Sequence, residues 1–289
     1  MTRQSGNSKS SSANGGIFQP VAVLGRLTIS ACHRSLGAMG GMYLLLKDAA
    51  GNVLKGIFVP SARVQGHALL FQMVRVGVRA IPIVILCELA IGMILPLQMY
   101  PKLDEFGQAE QIATINAIAA FRELGPLMTA IVLSGFAGAS IAAELGTMVT
   151  AEEIEALESL ALNPVRFLVI PRMLATVLMT LILTVIADVV MICGGMLTSL
   201  RLGIDPDVYY TLTLDAVNIT GFITGLIKAG VFGMLIGLIA CYLGLSVKPW
   251  QGSEGVGKAT TNTVVYCIVA IIGADAVFTI IFYAHGLFS

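Results

Sequence analysis

Charged residues are scarce in this chain. Asp, Glu, Lys and Arg make up 12% of its 289 residues, while 56% are hydrophobic. An ordinary soluble domain carries about a quarter charged residues, so this composition excludes a soluble domain and indicates an integral membrane protein. The formal net charge is zero, which gives no electrostatic reason to expect nucleic acid as a partner.

Residues that bind metals or form disulfides are also sparse. The five cysteines stand far apart without a C-x-x-C pair, and the three histidines show no ligand spacing. We therefore expect small buried cysteines and no catalytic metal. Residues 1–16 are rich in Ser, Gly and Asn. This composition predicts a disordered tail. We do not expect a signal peptide, because no compact apolar core with a small-residue cleavage site follows.

Long apolar runs are what the chain does contain. A membrane helix needs about 20 mostly apolar residues, and the intervals between charges predict five spans. Residues 77–289 are therefore predicted to form an all-α transmembrane domain. Residues 17–76 are predicted to hold an interfacial amphipathic helix, within 18–46, and a connector. The predicted spans are 80–101, 124–143 with an earlier start near 111, 173–200, 216–247 and 259–289.

Lysine and arginine are distributed unevenly around these spans. Nine precede the first span and four lie in the connections after the second and fourth, against two in the other two connections. Cytoplasmic loops carry an excess of Lys and Arg. The distribution predicts a cytoplasmic N-terminus and a C-terminus outside the membrane.

Five charged residues interrupt the spans or lie at their edges. A charge within the bilayer is costly and tends to have a partner or a function. Each is therefore a candidate for an interhelical ion pair, and either Asp188 or Asp275 is the expected partner of Lys228. The five are Glu88, Glu144, Asp188, Lys228 and Asp275.

A short acidic segment, TAEEIEALESLALNP at residues 150–164, separates the second and third spans. Thr150 and Glu153 have the spacing of a capping box. Pro164 disfavours helical structure at the residue before it. We therefore predict a short helix over about residues 151–162.

One face of this helix carries Ile154 and Leu157 at helical spacing, and glutamates line another. One interpretation is a solvated connector. The other is a rigid helix that docks into a groove of a partner protein. The topology places it in the cytoplasm, bounded by Pro164 and Pro171.

Residues 252–259, GSEGVGKA, nearly match a phosphate-binding loop. Ala259 replaces the hydroxyl that ligates magnesium, and such a loop must follow a strand and open a helix. Here it stands between two predicted spans. We expect a tight turn, and we expect any ATPase to be another polypeptide.

Several motifs resemble those of the MlaE/YrbE family, the permease subunits of ABC transporters that work with MCE-domain proteins to move lipids. The similarity runs from about residue 18 to the end. The motifs are R-E-L-G-P at 122–126, A-E-L-G-T-M at 143–148, I-K-A-x-V-F-G at 227–233 and E-G-V-G-K-A-T-T at 254–261.

The resemblance implies that the acidic segment is a coupling helix that docks on a separate ABC ATPase, which holds the ATP and magnesium. This chain itself would hold no cofactor and perform no chemistry. A second permease copy and an extracytoplasmic MCE-domain protein are the other implied partners, in the inner membrane. The implied docking residues are Glu152, Glu153, Ile154, Glu155, Leu157, Glu158 and Leu160.

The resemblance also implies a lipid pocket in the dimer, lined by Arg122, Glu123, Leu124 and Leu95. Arg122 suits a phosphate, and Pro126 is expected to kink the span. A structural ion pair or a snorkelling arginine is the alternative at this position. The chain departs from the family pattern at Phe136, where many relatives have arginine, so any contact of that arginine is not carried over.

The expected function is a permease that binds phospholipid and exchanges it with the MCE-domain partner. The first rival is a secondary transporter that uses the intramembrane acids as ion sites. No internal repeat is visible, and five spans cannot divide into equal inverted halves. The second rival, a membrane enzyme acting on lipids, needs a catalytic constellation, and none is visible.

Overall fold

The computed structural model describes residues 37–52 and 66–286 of the chain. All regular elements in these two ranges are helices, and five of the helical segments are long and apolar enough to cross a membrane. The predicted all-α membrane fold is therefore confirmed. The five spans are Gly66–Glu105, Ala109–Thr150, Val165–Arg201, Ile219–Leu245 and Pro249–Ala284.

The chain divides into two compact units, Met1–Leu44 and Leu45–Ser289, and all five spans belong to the second. Residues 37–52 are helical. The predicted tail at 1–16 lies outside the described residues, as does most of the predicted interfacial segment at 18–46. Both stay predictions.

Span one begins earlier than its charges suggest. A helix over Gly66–Val76 and one turn of 3-10 helix over Val78–Ala80 precede the long helix Ile81–Glu105. Arg79, which set the predicted start at residue 80, therefore lies within the span, as does Arg75, which forms an ion pair with Glu144. Counting from charge to charge therefore underestimates the length of the helix.

Wide π-helical turns interrupt spans two and three. Pro126 follows the turn Ala120–Leu124, and Pro171 follows the turn Val165–Val169. Proline has no N–H, and its ring clashes with the carbonyl four residues earlier. A wider turn at these positions relieves that clash. The kink expected at Pro126 is thus a π turn.

The third π turn, Ser134–Gly138, has no proline behind it. The Ser134 hydroxyl donates to the Ile131 carbonyl at 2.7 Å, a bond that competes with the backbone ladder. Phe136 lies in this turn and is exposed.

The helix between spans two and three, called the connecting helix here, covers Glu153–Ser159. Thr150 still belongs to span two, and its hydroxyl donates to the Thr147 carbonyl at 2.9 Å. The predicted capping box at Thr150 is therefore wrong, because a cap residue must leave the helical conformation. Glu152 occupies the cap position instead, with a left-handed φ of 58°.

The end of the connecting helix is fixed by its backbone. The Leu162 N–H donates to the Leu157 carbonyl at 3.0 Å and the Ala161 N–H to the Glu158 carbonyl at 2.9 Å. These two bonds form a Schellman motif, with Ala161 in the left-handed region at φ 57°. The helix is thus shorter than the predicted 151–162.

A second short helix, Pro206–Ala216, joins spans three and four. Asp205 caps it, since its carboxylate accepts a hydrogen bond from the Asp207 N–H at 2.8 Å. Tyr209 anchors the helix: its hydroxyl accepts from Asn116 Nδ2 at 3.0 Å and donates to the Ile192 carbonyl at 3.2 Å. Burial raises the pKa of Tyr209, so the hydroxyl keeps the proton that it donates.

Candidate functional site

Charged side chains from spans two, four and five meet in one group, called the ionic cluster here. Lys228 is fully buried. Its Nζ lies 2.8 Å from Glu123 Oε2 and 2.9 Å from Asp275 Oδ1. It also donates to the Thr279 hydroxyl at 3.1 Å, which in turn donates to Glu123 Oε1 at 3.1 Å. The ionic cluster therefore ties three helices together inside the bundle.

The partners of Lys228 are only partly those that the sequence suggested. The pairing with Asp275 is confirmed, and the alternative pairing with Asp188 is wrong. Glu123 is the partner that the sequence did not reveal. A charge count along the chain cannot find it, because Glu123 and Lys228 lie 105 residues apart.

Arg122 lies beside the ionic cluster, in the same π turn as Glu123 and Leu124. Its side chain runs along span four, where a Cβ added at Gly221 would come within 3.1 Å of Arg122 Nε. Arg122 and Leu124 are both half-buried. The structure thus brings Arg122, Glu123 and Leu124 to the contact between spans two and four.

Leu95 stands elsewhere. It lines a groove of about 250 Å³ on span one, together with Ile91, Ile94, Gln98 and Met99. The four predicted lipid-contacting residues therefore fall into two places within one copy of the chain. A common pocket that includes Leu95 stays a prediction.

A second charged group, called the Glu144 cluster here, lies at the end of the bundle that carries the connecting helix. Glu144 Oε1 is 2.7 Å from Arg75 Nη1 and 3.0 Å from Arg172 Nη2. Arg172 is buried and also donates to the Leu168 carbonyl at 2.7 Å. The Glu144 cluster joins spans one, two and three where the connecting helix is attached.

The connecting helix presents an acidic surface. Glu152, Glu153, Glu155 and Glu158 are exposed, whereas Ile154 and Leu157 are half-buried. Leu160, just after the helix, is 70% exposed. Leu160 is therefore the apolar side chain most available to a partner, and the two residues expected to fill a groove are partly covered by their own chain.

Two further intramembrane acids are buried away from both charged clusters. Glu88 of span one and Asp188 of span three are 1% and 2% exposed. Within residues 37–52 and 66–286, neither forms a salt bridge. They are called the acid pair here.

The segment 252–259 forms the first turns of the long helix Gly252–Ala284. The tight turn expected over these residues is therefore wrong, and only Gly252 at the start has a positive φ. Lys258 Nζ lies 2.6 Å from the exposed Glu254 carboxylate, a pair along one helix. Span four and a single 3-10 turn precede this segment in the chain. A phosphate-binding loop must follow a strand, whereas this segment follows helices.

These features define an all-helical, multi-pass membrane protein with interhelical charge clusters. The family model described as Permease MlaE matches residues 69–281, and the chain therefore belongs to the MlaE permease family. Family membership also confirms that the chain is a membrane transport subunit, not an enzyme.

Three relatives illustrate the spread of the family. A probable ABC transporter permease protein of Rickettsia felis is 35% identical over 73% of this chain and 82% of its own length. The intermembrane phospholipid transport system permease protein MlaE of Haemophilus influenzae is 32% identical over 82% of this chain and 92% of its own. The chloroplastic protein TRIGALACTOSYLDIACYLGLYCEROL 1 of Arabidopsis thaliana is 31% identical over 81% of this chain and 66% of its own.

Proposed function

We propose that this chain is the membrane subunit of an ABC-type complex that transports phospholipid, driven by a separate ATPase that holds ATP and magnesium. The name of the Haemophilus influenzae relative, which contains the words intermembrane phospholipid transport system, supports the substrate class. The names of the rickettsial relatives support the ABC class. The single structural observation that carries the proposal is the rigid, acidic connecting helix between spans two and three.

The ATPase docks on the connecting helix. Its exposed glutamates offer a negative surface to basic residues of the partner, and Leu160 offers an apolar anchor. Left-handed residues at both ends and the Schellman motif hold the helix at one angle. The Glu144 cluster passes movement of that helix into spans one, two and three.

The connecting helix lies in the cytoplasm and the helix Pro206–Ala216 lies on the outer side of the inner membrane. The distribution of Lys and Arg supports this orientation. The outer connections carry several acids, among them Asp104, Glu105 and Asp205. The extracytoplasmic MCE-domain protein meets the chain on this side, where lipid is exchanged.

Phospholipid binds between two copies of the chain. Arg122 contacts the phosphate, a bidentate match that the guanidinium suits. Glu123 does not reach the lipid directly in this arrangement, because Lys228 and Thr279 already bind both of its oxygens. It holds the π turn that presents Arg122, and Leu124 and Leu95 contact acyl chains.

The test uses the chain co-expressed with its ATPase and reconstituted into liposomes. We expect Leu160→Asp to remove most of the ATPase from the purified complex and to abolish ATP-dependent lipid transfer. Leu214→Asp is the matched control, since Leu214 is a comparably exposed leucine on the helix Pro206–Ala216.

Equal loss of the ATPase in both variants would contradict docking at the connecting helix. Lipid transfer that persists without ATP and follows an ion gradient would instead support the secondary transporter. Loss of bound phospholipid in Arg122→Ala, with Arg201→Ala as the exposed control at the same end of the bundle, tests the headgroup contact separately.

A further inference from the structure

The acid pair, Glu88 and Asp188, has no role in the proposed transport scheme. Its two side chains are among the least exposed in the chain. Both oxygens of Glu88 and Oδ1 of Asp188 are buried without a hydrogen-bond partner. Such groups require a physical explanation, because buried polar atoms are nearly always satisfied.

The helices place the two carboxyl groups at one depth. Spans one and three run in the same direction, since each is followed by a span that returns. They touch closely at Gly92, where an added Cβ would collide with the Met191 carbonyl. Glu88 precedes Gly92 by one turn and Asp188 precedes Met191 by three residues. Glu88 and Asp188 therefore stand at the same level of the contact between spans one and three.

Span two closes the site from the other side. Gly125 lies so close to Asp188 that an added Cβ would overlap Asp188 Oδ1. One turn further along, Thr129 is fully buried, and its hydroxyl has no hydrogen-bond partner either. Thr184, one turn before Asp188, is fully buried as well, and its hydroxyl is also without a partner. Two buried hydroxyl groups without partners therefore lie within about one helical turn of residues that contact the acid pair, and both acids are almost fully buried.

The cations on the helices around the acid pair are engaged elsewhere. Lys228 of span four belongs to the ionic cluster, and Arg75 and Arg172 belong to the Glu144 cluster. Arg122 of span two lies against span four. None of the remaining titratable groups on spans one to four, nor Tyr209 of the helix Pro206–Ala216, forms a salt bridge with the acid pair within the described ranges. On the spans these groups are His67, Arg79, Cys87, Tyr100, Lys102, Asp104, Glu105, Glu110, Arg166, Cys193, Arg201, Cys241 and Tyr242.

Two adjacent carboxylates cannot both stay ionised in such a place. Burying an ionised carboxylate without a partner is far more costly than burying the neutral acid, and a like charge at short range adds to that cost. A metal ion would need more ligands than two acids supply, and the described residues contain no group of three or more His, Cys, Asp or Glu side chains that could hold one.

We propose that Glu88 and Asp188 form a proton-binding site inside the membrane. The pair holds at least one proton, which one carboxyl group donates to the other, and the Thr129 hydroxyl binds Glu88. Neither the ionic cluster nor the connecting helix takes part. The site is a property of the junction between spans one, two and three.

Infrared spectroscopy tests this directly, because a protonated carboxyl group has a carbonyl stretching band that a carboxylate lacks. The full chain, with its ATPase, is measured in lipid nanodiscs at neutral pH. We expect a protonated-acid band in the native protein that is lost in the double variant Glu88→Gln, Asp188→Asn. Each single variant should fold and should weaken or shift the band, since the amide resembles the neutral acid in shape.

The control variant is Glu123→Gln, which changes a paired acid in the same bundle and should leave the band unchanged. Identical spectra of the native protein and of the single and double variants would overturn the proposal. So would a band that disappears when sodium chloride replaces choline chloride at constant pH, because a cation would then occupy the site. Loss of the band in Glu123→Gln alone would assign the proton to the ionic cluster and would equally overturn the proposal.

Discussion

The ionic cluster and the acid pair are two groups of buried acids on opposite sides of span two. Glu123 joins the first and Gly125 contacts the second, and residues two apart on a helix point about 200° away from each other. In the ionic cluster a lysine offsets the carboxylates, whereas the acid pair forms no salt bridge with any residue that the structure describes. The same residue types therefore form salt bridges between helices on one side of span two and a proton-binding site on the other.

The difference predicts opposite behaviour when a charge is removed. The ionic cluster depends on every charge, because removing one member of a buried ion pair leaves an uncompensated charge. The acid pair holds a proton, so replacing one of its acids by an amide should change the free energy of unfolding little. Four substitutions test this difference.

The largest effect is expected from Lys228→Met. It leaves Glu123 and Asp275 without their cation, and breaking a buried ion pair costs about 3–5 kcal/mol. The free energy of unfolding in mild detergent measures the loss. Lys258→Met, which removes an exposed lysine of span five, should change it little. Similar stability in the two lysine variants would show that the ionic cluster does not stabilise the fold.

Gly125→Ala should come next. The added methyl group would overlap Asp188 Oδ1 and approach the Ala120 carbonyl within 2.7 Å, and overpacking of this kind costs about 1–3 kcal/mol. Gly273→Ala is the control, because nothing lies within 4 Å of a Cβ there. Thermal unfolding of both variants gives the difference. An equally stable Gly125→Ala variant would refute the close approach of span two to the acid pair.

A smaller loss is expected from Thr279→Val. The substitution keeps the shape of the side chain but removes the hydroxyl that links Lys228 and Glu123. A hydrogen bond to a charged group contributes about 1.5–3 kcal/mol, and other hydrogen bonds contribute about 1 kcal/mol. We therefore expect the free energy of unfolding to fall by about 1–1.5 kcal/mol. Thr261→Val on the same span is the comparison, since that exposed hydroxyl bonds only to its own helix. No difference between the two would place Thr279 outside the ionic cluster.

The smallest effect is expected from Asp188→Asn. An amide replaces a largely neutral acid at the same size, so the free energy of unfolding should change by less than about 1 kcal/mol. Asp275→Asn, in the ionic cluster, should cost clearly more in the same measurement. If the order is reversed, Asp188 is ionised and the contrast between the two groups is wrong.

The five spans could be predicted from sequence because each is a long apolar run. Their interruptions could not, since the turn at Ser134–Gly138 arises from a local serine bond that follows no periodic pattern. The pairing of Asp275 with Lys228 was one of two that the sequence offered, because Lys228 interrupts a predicted span and either Asp188 or Asp275 could offset its charge. The partnership of Glu123 with Lys228 and the isolation of Asp188 depend on which side of each helix faces which neighbour, and a single sequence does not contain that information.

The connecting helix shows the same limit on a local scale. Its acidic character and its position followed from the residues alone. Its cap at Glu152 instead of Thr150 did not follow from them, because the backbone hydrogen bonds of span two continue through Ala151. Those bonds outweigh the capping preference of a threonine hydroxyl.

The π turns of span two limit how many residues this helix can gain or lose. A π turn holds one residue more than an α-helical turn, and one residue corresponds to a rotation of about 100°. Deleting a single residue at Ala120–Leu124 would therefore rotate the rest of span two about the helix axis. Glu144 would then face away from Arg172. The alignment of the two ends of span two is set by the number of residues between them as much as by their identity.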